Sequence, residues 1–242
     1  MAEPKAPAKT DRSEVAENRS SRAEVDAFLK QIRGLQPAGS GSGRLIFGMD
    51  ATMSRQPTWD LALEIQADMF EAVKQVGGLD VQLVYFRGFK ECQASKWVGD
   101  PAALARLMRK VHCEGGHTQI RKVLSHARQE SQTAKVNALI YVGDSMEEDV
   151  DQLSTLAGEL GLIGVPVFLF QEGHDQRAER AFKEIARLSR GAHCRFDTGS
   201  ARQLRELLTA VAVYAIGGRK ALQDYRASTQ SAAALRLLEQ LG

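Results

Sequence analysis

The sequence predicts an α/β protein, a three-layer, doubly wound, mostly parallel sheet with one antiparallel edge strand. Three observations carry this. Apolar runs such as Leu45–Met49, Leu79–Phe86 and Val136–Val142 are near-continuous rather than alternating, as strands buried on both faces require. Between them lie amphipathic stretches, Trp59–Val76 and Thr118–Glu130 among them, whose apolar residues recur at helical intervals. Strands separated by helices imply right-handed crossovers, hence parallel neighbours with helices on both faces.

The elements follow in order. Arg44–Met49 is a strand, and Trp59–Val76 a helix that stops at Gly77-Gly78. Leu79–Phe86 is a strand, Arg87-Gly88 a turn, and Phe89–Gln93 the antiparallel return. Asp100-Pro101 opens a helix, with Asp at the cap and Pro in the first turn. Thr118–Glu130 is helical, Val136–Val142 a strand, Val150–Leu160 a helix, and Ile163–Phe170 a strand containing Pro166. Gln176–Ser189 is helical, His193–Phe196 a short strand, and Arg202–Tyr214 a helix. Helical propensity continues after Gly217-Gly218, with Leu235, Leu238 and Leu241 on one face.

Ahead of this domain, residues 1–20 are rich in Pro, Ala, Lys and Glu and are expected to be disordered. Ser21 and Glu24 have capping-box spacing before a short helix carrying Val25, Phe28, Leu29 and Ile32, and Gln36–Gly43 has the composition of a flexible linker. The expected organisation is a tail and linker over 1–43, the α/β domain over 44–216 and a helical extension over 217–242.

Bulk composition bounds the function. A chain of 242 residues, 43% of them hydrophobic, can bury a substantial core. A net charge of +2 gives no electrostatic reason to expect nucleic acid as a partner. Cys92, Cys113 and Cys194 are odd in number and widely spaced, the usage of a reducing compartment, so a cytoplasmic protein is expected. The first residues lack the apolar core of a leader, and no run approaches the roughly 18 apolar residues of a membrane span.

The chemistry gathers at strand ends. Leu45–Met49 runs into Asp50, then Thr52 and Ser54 at alternate positions, while Ala51 and Met53 are expected to point inward. Gly115-Gly116-His117-Thr118 offers another hydroxyl at a helix start, and Ala138–Gly143 ends in Asp144. In open α/β sheets ligands bind at the carboxyl ends of the strands. Hard oxygens from one or two carboxylates, hydroxyls and water suit Mg²⁺, and Mn²⁺ shares those preferences. Asp50, Thr52, Ser54, Thr118 and Asp144 are therefore the candidate metal ligands, with Mg²⁺ (or Mn²⁺) as cofactor. Beside them, Arg55 and His117 are the candidate contacts to a partner. The run Glu147-Glu148-Asp149-Val150-Asp151 is expected to open the next helix, where acids suit the positive end of the dipole.

Asp50-x-Thr52-x-Ser54, Thr118 and Asp144, each in its own loop, resemble the metal-ion-dependent adhesion site (MIDAS) of the von Willebrand factor type A (vWA) domain family, a Rossmann-like fold. The likeness covers roughly residues 44–214 and includes the order of elements. The one departure is Thr52 where the pattern has Ser, which keeps the hydroxyl. The resemblance implies a protein-binding module whose cation accepts an Asp or Glu from a protein partner. That partner is sometimes an AAA+ ATPase or a larger multi-subunit assembly.

Two other classes compete. A Mg²⁺-dependent phosphoryl hydrolase of the haloacid dehalogenase type also begins from an Asp at a strand end. It wants a second carboxylate two residues later, however, and position 52 is Thr. A phosphate-cradling G-x-x-x-x-G-K-[ST] loop is also missing, so an enzyme is not expected. The third class is a structural subunit with a vestigial metal site and adhesive terminal helices.

Overall fold

A computed structural model of the chain describes residues 43–73 and 78–241. The expected tail, its helix at 21–33 and most of the linker lie outside the described residues.

Six strands form one sheet in the order β3-β2-β1-β4-β5-β6. The central strand β1 (Gly43–Asp50) pairs in parallel with β2 (Leu79–Arg87) and with β4 (Ala138–Gly143). Beyond β4 lie β5 (Val167–Glu172) and β6 (Ala192–Phe196), also parallel, and β3 (Glu91–Ala94) is the antiparallel edge beside β2. The α/β class and its antiparallel edge are as the sequence predicts.

Side-chain alternation along β1 divides the core. Leu45, Phe47 and Met49 belong to one apolar layer, shared with α1 (Gln56–Val73), α2 (Pro101–Met108) and α6 (Ala201–Thr229). Ile46 belongs to the opposite layer, with α3 (Ile120–Thr133), α4 (Val150–Leu162) and α5 (Gln176–Leu188). Gly48 is part of the fit. A Cβ there would stand 3.0 Å from both the Ile140 carbonyl oxygen and Val123 Cγ1, so α3 lies close against the strand.

Two expectations shift. The strand expected over Ile163–Phe170 begins at Val167, because α4 runs on to Leu162 and a turn at Gly164 (φ 74°) precedes it. Pro166 adds no N–H to the ladder, but its carbonyl accepts from Leu139 N at 3.0 Å. At the C-terminus the buried positions are Ala233, Ala234, Leu237 and Leu241, whereas Leu235 and Leu238 are only half-buried. The helical face turned inward is thus offset from the expected leucine stripe.

This C-terminal segment covers the β6 edge of the sheet. After a break at Gly218 (φ 64°) α6 continues to Thr229, and α7 (Ala232–Leu238) packs against it and β6. The Gln240 amide bonds both backbone groups of His193, accepting from its N at 2.8 Å and donating to its O at 2.9 Å. Arg236 donates to the Arg195 carbonyl at 2.8 Å. Edge groups that would otherwise template another strand are thereby satisfied. Among the described residues no helix is long and apolar enough to cross a membrane.

Leu237→Ala is expected to lower unfolding free energy by about 2–5 kcal/mol in urea denaturation, the range for a buried leucine. Leu235→Ala is expected to cost less than half as much, and equal effects would contradict this packing.

Candidate functional site at the carboxyl edge

Three neighbouring parallel strands bring acids to one edge. Asp50 is the last residue of β1, Asp144 follows β4 directly, and Glu172 is the last residue of β5. Asp50 is 1% exposed. Its Oδ1 accepts from Thr52 N at 2.8 Å, and its Oδ2 is buried with no hydrogen-bond partner among the described residues. Burial is the main reason its carboxyl pKa rises to about 6, with Asp144 adding to the rise and the bonds from Thr52 opposing it.

The first loop turns sharply after Asp50. Ala51 stays anchored, its N donating to Phe86 O at 2.9 Å and its O accepting from Glu114 N at 3.0 Å. Met53–Arg55 then form a short 3₁₀ turn, closed by Arg55 N to Thr52 O at 2.9 Å, that leads into α1. Strand alternation ends at this turn. Thr52 is nearly buried, Ser54 is exposed, and Met53, expected inside, is 63% exposed.

The second and third loops hold each other. Thr118 is buried and its Oγ1 accepts from Glu147 N at 3.1 Å. Glu148 accepts from the N–H groups of Ile120 and Arg121, so the start of α3 is capped by an acid from the loop after β4. Within the acidic run, then, Asp149 caps α4 by accepting from Gln152 N at 3.0 Å, while Glu147 and Glu148 turn back toward α3. Burial raises the Glu148 pKa against those helix-end bonds. Gly116 has a close-approach reason. A Cβ there would fall 1.9 Å from Gly88 O, and His117 N bonds that same oxygen at 3.2 Å.

Of the two expected partner contacts, His117 is exposed, with Nδ1 2.9 Å from Glu147 Oε2 and its ring 5.2 Å from that of Phe89, itself 72% exposed. Arg55 is turned inward and only 4% exposed. Its Nη1 lies 3.5 Å from Asp144 Oδ2, and its Nη2 pairs with Glu172 Oε2. Glu172 is also buried, taking a hydrogen bond from Thr58 Oγ1 and another from Gly199 N at 3.1 Å. Sequence reasoning missed Glu172 and Thr58. An acid at the end of a third apolar strand was the available signal, hidden because that strand was expected to stop at Phe170.

The donors suit a small hard cation. A buried carboxylate oxygen has no hydrogen-bond partner among the described residues, hydroxyls from two loops lie on the same edge, and a second carboxylate follows the adjacent strand. Among the described residues no group of three or more His, Cys, Asp or Glu is arranged to hold a metal, so a cation at this edge would depend on the hydroxyls. Cys113 is a buried bystander, its thiol pushed up to about 11 by burial.

This architecture is the vWA fold. No protein-family model matches the sequence, and no curated protein matches it either. The likeness to solved structures is therefore one of fold. The chain resembles the VWA domain of SpRpn10, at 13% identity and TM-score 0.53, over 71% of this chain and 95% of that one. It also resembles an aerotolerance-related membrane protein from Bacteroides fragilis, at 14% identity and TM-score 0.56, over 71% and 98%. Proximal thread matrix protein 1 from the mussel byssus, with a zinc-occupied MIDAS motif, matches at 18% identity and TM-score 0.57, over 72% of this chain and 45% of that one.

Because the folded state holds the Asp50 proton more tightly than the unfolded chain, its contribution to stability is full below about pH 3.8 and is lost as pH rises through about 6. In EDTA, Asp50→Asn is therefore expected to be the more stable form above pH 7, by at most about 3 kcal/mol, with the gap closing toward pH 4. Urea denaturation of both proteins across this range checks it, and a gap independent of pH would contradict it.

Proposed function

We propose that this chain is a vWA-type protein-binding module. In this reading a divalent cation, Mg²⁺ or Mn²⁺, is held by Asp50, Thr52, Ser54, Thr118 and Asp144. When bound, the ion supplies an electrophilic position for an Asp or Glu carboxylate of a protein partner. The observation that carries the reading is Asp50 Oδ2, an acidic oxygen inside the protein with no hydrogen-bond donor among the described residues. A buried group of that kind costs stability unless something binds it. The zinc-occupied MIDAS of the mussel protein, on a similar fold, supports the same assignment.

This chain's own groups divide the work. Asp50, fixed by Thr52 N, keeps one oxygen for the ion. Thr118 is steadied by Glu147 N, and Ser54 stands at the surface. Exposed Met53, Phe89 and His117 rim the edge and suit the apolar contacts around a bound acidic residue. No acid pair is set for phosphoryl chemistry at Asp50, because position 52 is a threonine, so binding is favoured over hydrolysis. Free Cys92, Cys113 and Cys194 support a reducing, cytoplasmic setting, and the partner is proposed to be part of a larger assembly.

One observation favours the structural-subunit reading. Arg55 already supplies a positive charge to Asp144 and Glu172. Affinity capture from the native cell separates the two. The binding reading expects a partner retained in Mg²⁺ and lost both in EDTA and with Asp50→Ala. Retention of the same partner under all three conditions would favour the subunit reading and contradict the proposal.

A further inference from the structure

We propose that Arg55 is an internal counter-cation that competes with the divalent ion for Asp144 and thereby sets the site's metal affinity. The inference rests on the metal-binding reading above and concerns how occupancy is controlled.

The geometry supports competition. The Arg55 guanidinium spans two acids, Asp144 Oδ2 at 3.5 Å through Nη1 and Glu172 through Nη2. Asp144 Oδ1 accepts from the neighbouring Ser145 hydroxyl at 3.1 Å. An ion seated against Asp50 and drawing on Asp144 shares that carboxylate's charge with Arg55, so each cation weakens the other's hold. Glu172 is the group that lets Arg55 yield. It is held by Thr58 Oγ1 and Gly199 N, stays buried, and keeps the guanidinium compensated when Asp144 turns to the ion. A buried arginine left without any acid would be strongly disfavoured. Arg55 cannot swing to solvent easily either, because it sits in a 3₁₀ turn pinned by Thr52 O and is 4% exposed. The arrangement divides one positive charge between an acid that belongs to the site and an acid that does not. Metal affinity then depends on which acid holds Arg55 more strongly.

Variants of the pair shift affinity in opposite directions, which simple damage would not do. Mn²⁺ binding to the full chain is measured by isothermal titration and by electron paramagnetic resonance of the free ion, with thermal melts confirming that each variant is folded. Glu172→Gln concentrates the arginine on Asp144 and is expected to weaken Mn²⁺ binding about ten-fold or more. The double variant Arg55→Met with Glu172→Gln leaves net charge unchanged and frees Asp144. It is expected to bind Mn²⁺ about ten-fold tighter than wild type.

Mn²⁺ bound by the double variant while wild type binds none would support the competition in its strongest form. Equal affinities across wild type and both variants, or weakening in both, would overturn the role of Arg55 while leaving the site intact. Absence of Mn²⁺ from every form would overturn the metal reading itself, and the competition with it.

Discussion

Like charges gathered at one sheet edge must be balanced, and the rest of this site follows from that requirement. Strands β1, β4 and β5 are adjacent and parallel, so acids at their ends, Asp50, Asp144 and Glu172, are delivered to the same side of the molecule. Two unit charges about 4 Å apart interact by about 4 kcal/mol at the effective dielectric near a protein surface. Repulsion of that size is a large fraction of a domain's stability. Arg55 neutralises part of it and Thr58 and Gly199 donate hydrogen bonds to Glu172, but Asp50 Oδ2 has no donor among the described residues. Burial of Asp50, with a smaller contribution from the Asp144 charge, lifts its carboxyl pKa to about 6.

The surrounding fold makes that imbalance specific. Loops that carry Asp50, Thr118 and Asp144 are tied to one another by Glu114 N to Ala51 O, by Glu147 N to Thr118 Oγ1 and by Glu148 capping α3, and the Gly116–Gly88 approach packs the second loop on the β2–β3 turn. Gln119 adds to this, its Nε2 donating to the carbonyls of Arg87 and Glu91, both at 3.2 Å. Bonds of this kind hold the side chains of this edge in place, which lowers the ordering cost of any association there. At the far edge, Gln240 and Arg236 satisfy backbone groups of β6 that would otherwise be open to another strand.

Much of this was legible in the sequence because it depends on local pattern. Apolar runs gave the strands, and Asp100-Pro101 gave the start of α2, where Asp100 accepts from Ala103 N at 2.7 Å. Asp50, Thr52, Ser54, Thr118 and Asp144 stand out because each follows a strand or opens a helix. What escaped depends on distant partners. The inward turn of Arg55 is dictated by Asp144 and Glu172, 89 and 117 positions away in sequence. Glu148 serves a helix that precedes it by 28 positions, which no local capping rule anticipates. Met53 faces outward because a 3₁₀ turn replaces the strand at that point, ending the period-two pattern. The C-terminal face is chosen by contact with α6 and β6, which favours the small residues Ala233 and Ala234 over Leu235.

The central claim is that the acids and hydroxyls of this edge define a single cation position beside Arg55. A crystal structure grown in Mn²⁺, with an anomalous difference map at the manganese edge, tests it most directly. The account predicts one strong peak in contact with Asp50 and the hydroxyls of Thr52, Ser54 or Thr118, with Arg55 drawn toward Glu172. A map with no peak at this edge, and Arg55 still bridging Asp144 and Glu172, would contradict it.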